Sequence, residues 1–220
     1  SMYLGRGTVQ LYVTQLAPTG AGELAKKLAE IKARLAAEGL LDDRRKRALP
    51  KFPRFVGVVT SLKGAALQDF LKVSRERWPT AVVLVADAVV QGPMAAPSVV
   101  RALDLLWEDG RSEVIVVTRG GGSKEDLWCF NERVVAEAVL RCAVPVVAAI
   151  GHETDTTIAE LVADERGSTP TQAAMRLTPD RAELSRQLQS VTRRAQHAVE
   201  RRLEQALGAA RLSLRRAFSG

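Results

Sequence analysis

Val144-Pro145-Val146-Val147-Ala148-Ala149-Ile150 runs straight into Gly151-His152-Glu153-Thr154-Asp155. An unbroken apolar run rich in Val marks a strand buried on both faces, as strands of parallel sheets are. Gly151 then allows a sharp turn. His152, one of 2 histidines in the chain, falls at the strand's carboxyl end, the edge where open parallel sheets hold their ligands. Thr154-Asp155-Thr156-Thr157-Ile158-Ala159 reads as a helix start, rich in capping residues. An imidazole and a carboxylate three residues later thus share a strand-to-helix corner. The plainer alternative is a capping Asp beside a hydrogen-bonded loop His.

The same grammar recurs upstream. Phe55–Thr60, Ala81–Ala86 and Glu113–Thr118 read as strands, and Gly64–Trp78, Pro97–Glu108, Glu125–Arg141 and Asp155–Ala163 as helices. Short apolar strands separated by helices predict an α/β fold, with a parallel sheet of about four strands flanked by helices. Before this unit, Thr8–Leu16 has the alternation of a half-buried strand without an obvious pairing partner, and Pro18-Thr19-Gly20 breaks it. Gly22–Glu38 predicts an amphipathic helix with Leu24, Leu28, Ile31 and Leu35 on one stripe and Gly39 as its stop, and Asp42–Pro53 reads as a charged linker. After Gly167-Ser168-Thr169-Pro170 comes a short helix carrying Ala173 and Ala174. A long helix then runs from Pro179 to the end, its narrow apolar stripe repeating like a heptad seam. Such a helix does not fold alone in water, so it reads as the base of a coiled coil continuing past Gly220. The expected division is 1–19 as the remnant of an upstream domain, 20–177 as the α/β domain and 178–220 as the start of the coiled coil.

Composition narrows the class. A chain of 220 residues with 46% hydrophobic content supports one substantial α/β domain. No apolar run reaches the roughly 18 residues of a membrane span, and no charged-then-apolar leader precedes the first strand. The Ser1-Met2 start looks like an addition made for expression, and the natural chain is expected to begin upstream. Cys129 and Cys142 would lie about 20 Å apart along a single helix, too far to bridge, and read as buried small apolar groups in a reducing compartment. The net charge of +7 favours an acidic partner such as nucleic acid. It is unevenly spread: residues 178–220 hold nine arginines against Asp180, Glu183, Glu200 and Glu204, and so carry most of it.

Three strand ends carry unusual residues, and parallel strands must open them on one edge. The first is Thr60-Ser61-Leu62-Lys63-Gly64 with Asp69 in the second turn of the following helix. The second is Thr118-Arg119-Gly120-Gly121-Gly122-Ser123, and the third the Gly-His-Glu-Thr-Asp segment. Consecutive glycines before a helix expose backbone N–H groups to an anion, and Arg119 can grip two phosphate oxygens at once. The spacing matches neither a Walker loop nor a dinucleotide fingerprint. An imidazole, carboxylates and an arginine above a phosphate-friendly loop point to phosphoryl chemistry. His152 would activate water or protonate a leaving oxygen, Arg119 and the loop amides would stabilise charge on phosphorus oxygens, and Asp155 or Asp69 would orient the ring or hold a divalent ion. Oxygen ligands with one imidazole suit Mg²⁺ or Mn²⁺ better than structural zinc, and no metal ligand is assigned. Glu125, Asp126 and Asp164 read as structural acids.

Together these residues resemble a known family. Val58-Val59-Thr60-Ser61 with Gly64-Ala65-Ala66 and Asp69, Val90-Gln91-Gly92, Arg119-Gly120-Gly121-Gly122-Ser123 with Glu125-Asp126-Leu127-Trp128 and Phe130-Asn131, then Gly151-His152-Glu153-Thr154-Asp155, Ala163-Asp164 and Thr169-Pro170, are similar in order and spacing to the large subunits of exodeoxyribonuclease VII. The resemblance spans roughly residues 8 to 177. It implies a bacterial cytoplasmic nuclease that degrades single-stranded DNA from either end to 5′-phosphate-terminated oligonucleotides. It further implies an N-terminal OB-fold, of which the first strand is a remnant, and a C-terminal coiled coil bound by several copies of a small subunit. The family's catalytic set carries over to Asp69, Arg119, His152 and Asp155. Phosphate and DNA contacts are expected at Ser61, Gly64, Gly120, Gly121, Gly122, Ser123 and Thr154. Departures fall at Leu62-Lys63, where Pro-Thr is commoner, at Ala86-Asp87 in place of Tyr-Pro, and at Thr118 in place of Gly. Read from the residues alone, two alternatives stand: a non-catalytic nucleic-acid scaffold working through the arginine-rich helix, and an enzyme acting on a small phosphoester.

Overall fold

A computed structural model describes residues 2–5, 8–11, 20–120, 125–151 and 156–217 of the chain. Its centre is a five-stranded sheet in which every neighbouring pair is parallel. In chain order the elements are β1 (Met2–Gly5), β2 (Thr8–Leu11), α1 (Gly20–Ala37), β3 (Phe55–Thr60), α2 (Ala65–Arg77), β4 (Val82–Asp87), α3 (Ala95–Asp109) and β5 (Val114–Thr118). They continue with α4 (Arg133–Arg141), β6 (Val146–Ala149), α5 (Ile158–Val162), β7 (Glu165–Arg166), α6 (Pro170–Leu177) and α7 (Arg181–Ala217). The sheet order is β4-β3-β5-β6-β7.

Side-chain alternation along the central strands builds two cores. Val56, Val58, Val114, Val116, Val147 and Ala149 face one side, where Leu67 and Phe70 of α2 and Ala173, Ala174 and Leu177 of α6 cover them. Val59, Ile115, Val117, Val146 and Ala148 face the other, beneath residues of α1, α3, α4 and α5. Both faces are therefore dry, which is why these strands read as continuous apolar runs. Gly57 of β3 sits where a Cβ would lie 2.8 Å from Ser112 Oγ and 2.9 Å from Leu106 Cδ1, so a side chain there would force those two neighbours to shift.

The structure corrects several expectations. The sheet has a fifth strand, β7, in a two-residue stretch with no apolar signal. Of the strand expected over Thr8–Leu16, Thr8–Leu11 is β2, and it has a partner: β1 pairs with it antiparallel. Residues 12–19 lie outside the described residues. The helix expected over Glu125–Arg141 is broken into a 3₁₀ segment, Glu125–Asn131, and α4, with Glu132 extended between them at φ −75° and ψ 138°. Asn131 is buried there and its Oδ1 accepts from the Ile158 N–H at 2.9 Å. Cys129 and Cys142 are buried thiols not joined in a disulfide, and burial pushes both up to about 11. The last helix of the sheet unit begins at Ile158 with Thr157 as its cap, later than the Asp155 start expected.

The segment read as a linker is docked. Arg47 donates from its backbone N–H and guanidinium to Asp164 at 2.7, 3.0 and 2.8 Å, and from Nη1 to the Cys142 carbonyl at 2.6 Å. Asp164 also accepts from the Val146 N–H at 2.7 Å, so one carboxylate fastens the incoming chain to the start of β6. At α7, Asp180 accepts from the N–H groups of Ala182 and Glu183, while Arg77 of α2 reaches Asp180 and the Thr178 carbonyl. Along α7, Leu188, Val191, Val199, Leu203, Leu207 and Leu214 are exposed. Of the stripe expected on α1, Leu35 is buried, Leu28 and Ile31 are partly buried, and Leu24 is exposed. Among the described residues no helix is long and apolar enough to cross a membrane.

Candidate active site at the carboxyl edge of the sheet

The path of the chain through the sheet creates the site. From β3 it leaves over the α2 face and arrives at β4. From β4 it returns over the α3 face to β5, on the other side of β3. Beyond β5 it continues over that same face through α4. The loops after the adjacent strands β3 and β5 therefore diverge to opposite faces. Such a switch point leaves a crevice at the carboxyl edge of the sheet, where open α/β folds bind ligands. Its walls are Thr60–Gly64 on one side and the start of the Arg119–Lys124 stretch on the other. Register aligns the third loop with them: Val59 pairs with Val117 and Val117 with Ala148, so β3, β5 and β6 end together.

Each wall has a local cause. Thr118 Oγ1 donates to the Ala149 carbonyl at 2.9 Å, and the Arg119 N–H reaches the same oxygen at 3.3 Å, locking the ends of β5 and β6. Two of the departures, at 62 and 87, answer each other: the Leu62 N–H donates to Asp87 Oδ1 at 2.9 Å. A Pro at 62 has no N–H to donate, so the acceptor at 87 goes with the non-proline residue.

The anion-binding features converge here. The α2 N-cap, Gly64, supplies no side-chain bond to the first turn, leaving uncapped N–H groups at the positive end of the helix. A Cβ on Gly120 would lie 3.9 Å from Ala66 N, so the loop after β5 passes against that turn. Arg119 is 4% exposed and its charge is felt by the Cys129 thiol. It is thus no surface arginine on a loose loop, the plainer reading of this segment. Thr60 is 1% exposed, and its hydroxyl has no hydrogen-bond partner among the described residues. Strand alternation puts Thr60 on the α2 face with Val56 and Val58. Nothing in the sequence separated it from an ordinary strand-end Thr.

Asp69 is exposed in the second turn of α2, three residues beyond Ala66. Helical spacing sets it on the face of Ala66, and helical Cβ atoms lean toward the N-terminus, here toward the crevice. Ser61, Gly64, Arg119 and Gly120 thus lie in the two loops that flank the crevice, and Asp69 lies one turn into α2. Gly121, Gly122, Ser123, His152, Thr154 and Asp155 lie outside the described residues. Among the described residues no group of three or more His, Cys, Asp or Glu could hold a metal ion.

Glu160 is the residue that sequence reading passed over. Its Oε1 accepts from the Gly151 N–H at 3.2 Å and the Ile150 N–H at 3.4 Å, and its Oε2 from the Thr157 N–H at 2.7 Å and hydroxyl at 3.1 Å. Its signal was the capping-box spacing Thr157-x-x-Glu160, hidden behind the run of possible caps from Thr154 to Thr157.

Comparison with known proteins decides the lineage. The model of the family described as exonuclease VII, large subunit, matches residues 40–218. The chain belongs to this family. It is similar to the exodeoxyribonuclease 7 large subunit of Moorella thermoacetica, 48% identical over 204 residues covering 93% of this chain and 51% of that one. It is also similar to the protein of the same name from Azotobacter vinelandii, at 47% identity with coverage of 97% and 46%. The Corynebacterium glutamicum protein is 46% identical, with coverage of 96% and 51%. The chain spans about half the length of the curated relatives it matches. The family read from its motifs is the one the comparisons show.

Proposed function

We propose that this chain carries the hydrolytic site of an exodeoxyribonuclease that acts in the cytoplasm on single-stranded DNA from either end, releasing 5′-phosphate-terminated oligonucleotides. The observation that carries the reading is the switch-point crevice, where a buried Arg119, the uncapped first turn of α2 and Thr60, whose hydroxyl has no partner among the described residues, lie at the carboxyl ends of adjacent strands. A phosphodiester entering there meets a cation and N–H donors suited to its non-bridging oxygens, and these groups gain strength as the added phosphorane charge develops. His152 takes a proton from the attacking water or gives one to the leaving oxygen. Asp155 or Asp69 orients the ring. Mg²⁺ or Mn²⁺, when bound beside these carboxylates, would polarise the phosphate oxygens.

The domain division follows the same reading. Residues 1–19 are the remnant of an OB-fold that holds the strand, 20–177 are the catalytic domain, and 178–220 begin the coiled coil that recruits several copies of a small subunit. The exposed apolar residues of α7 support a helix built to be covered.

The test is degradation of end-labelled single-stranded DNA by the full-length chain assembled with its small subunit, with and without chelator. Release of oligonucleotides bearing 5′-phosphates is expected from both ends, and the chelator arm reports the metal requirement. Strand binding without release, abolished by deleting α7, would favour the scaffold reading. Turnover of a small phosphoester without competition from single-stranded DNA would favour the third.

A further inference from the structure

We infer that Glu160 is a positioning residue for hydrolysis, fastening the chain on either side of the segment that carries His152 and Asp155; this rests on the site proposed above. The Glu160 side chain is 0% exposed, and carboxylates are almost never so buried unless they are paired. A capping box on α5 accounts for only the Oε2 bonds, those to Thr157. Oε1 does something the cap does not need, taking the amides of Ile150 and Gly151 at the end of β6. One carboxylate therefore grips the chain where it enters the Gly-His-Glu-Thr-Asp stretch and again where it leaves.

The exit end, at the start of α5, is tied down from a second direction. Asn131, which ends the 3₁₀ segment following the Arg119 loop, accepts from the Ile158 N–H at 2.9 Å. Arg166 of β7 places its Nε 3.5 Å from Glu160 Oε1, balancing the buried charge. A carboxylate suits this place because both its oxygens accept. A glutamine keeps the size but turns an NH₂ toward one set of backbone donors, so one anchor must be released.

The test uses Glu160→Gln in the full-length chain with its small subunit, against wild type, Glu160→Asp and His152→Ala. Single-turnover cleavage of labelled single-stranded DNA is expected to fall about 10²-fold, the scale of an ångström-sized misplacement of catalytic groups. Strand affinity stays unchanged, and Glu160→Asp recovers part of the rate by restoring two acceptor oxygens. A residue that served stability alone would lower the melting temperature and leave cleavage per folded molecule unchanged below it; that result overturns the inference. If Glu160→Gln does not yield folded protein, Thr157→Val removes a single donor to the same carboxylate. A reduced cleavage rate at unchanged strand affinity then supports the role, and a wild-type rate overturns it. Full activity in His152→Ala would sink the site itself, whereas an inactive His152→Ala beside a fully active Glu160→Gln sinks only the positioning role.

Discussion

Replacing His152 with alanine in the full-length chain, assembled with its small subunit, should slow release of labelled oligonucleotide by about 10²–10⁴-fold while leaving strand binding intact. That range is what a positioned general acid or base contributes. Binding survives because, in the proposed site, the grip on phosphate comes from other groups: Arg119, which is buried, and the uncapped amides at the start of α2. The distinction is measurable as a fall in single-turnover rate at constant strand affinity. Cleavage at the wild-type rate would remove His152 from the chemistry, and a parallel loss of binding would make it a contact residue instead.

Asp164→Asn should cost about 3 kcal/mol of stability at neutral pH, the scale for orphaning one member of a buried pair, and at its low end because Arg47 keeps 36% of its side chain exposed. Burial by itself raises the Asp164 carboxyl, but hydrogen bonds from Arg47 and from the Val146 N–H outweigh it and hold the group below its usual range. A depressed carboxyl stabilises the fold above its unfolded value, about pH 4, and the contribution disappears as pH falls through the folded value. Urea unfolding at pH 7 and below pH 4 should therefore show the gap between wild type and variant narrowing in acid. A gap of equal size at both pH values would mean that the ion pair is not its source.

The residues that sequence reading handled well share one property: their signal is local. The runs at Phe55–Thr60, Val114–Thr118 and Val146–Ala149 are apolar at every position because both faces are covered. Gly39 stops α1 because its φ is 71°. The failures are all tertiary. β7 exists because Glu165 and Arg166 lie along β6, and no pattern in two charged residues announces that. The helix over Glu125–Arg141 has helical periodicity, yet it breaks where Asn131 turns inward to bond the start of α5. The linker is charged as linkers are, but Arg47 has a buried partner 117 positions away. In the site, the alignment of the ends of β3, β5 and β6 along one edge followed from parallel strands alone. Thr60 and Glu160 did not, because their importance lies in what surrounds them: a dry edge for one, the ends of a loop for the other.

The central claim is that Arg119 and His152 act on the same diester in the same step. Its most direct test is the single-turnover cleavage rate of single-stranded DNA by the full-length complex carrying Arg119→Ala, His152→Ala, or both. Groups that work as a unit are strongly non-additive, so the double variant should lose little beyond the worse single variant. Losses that simply multiply would place the two residues in independent roles and contradict the account.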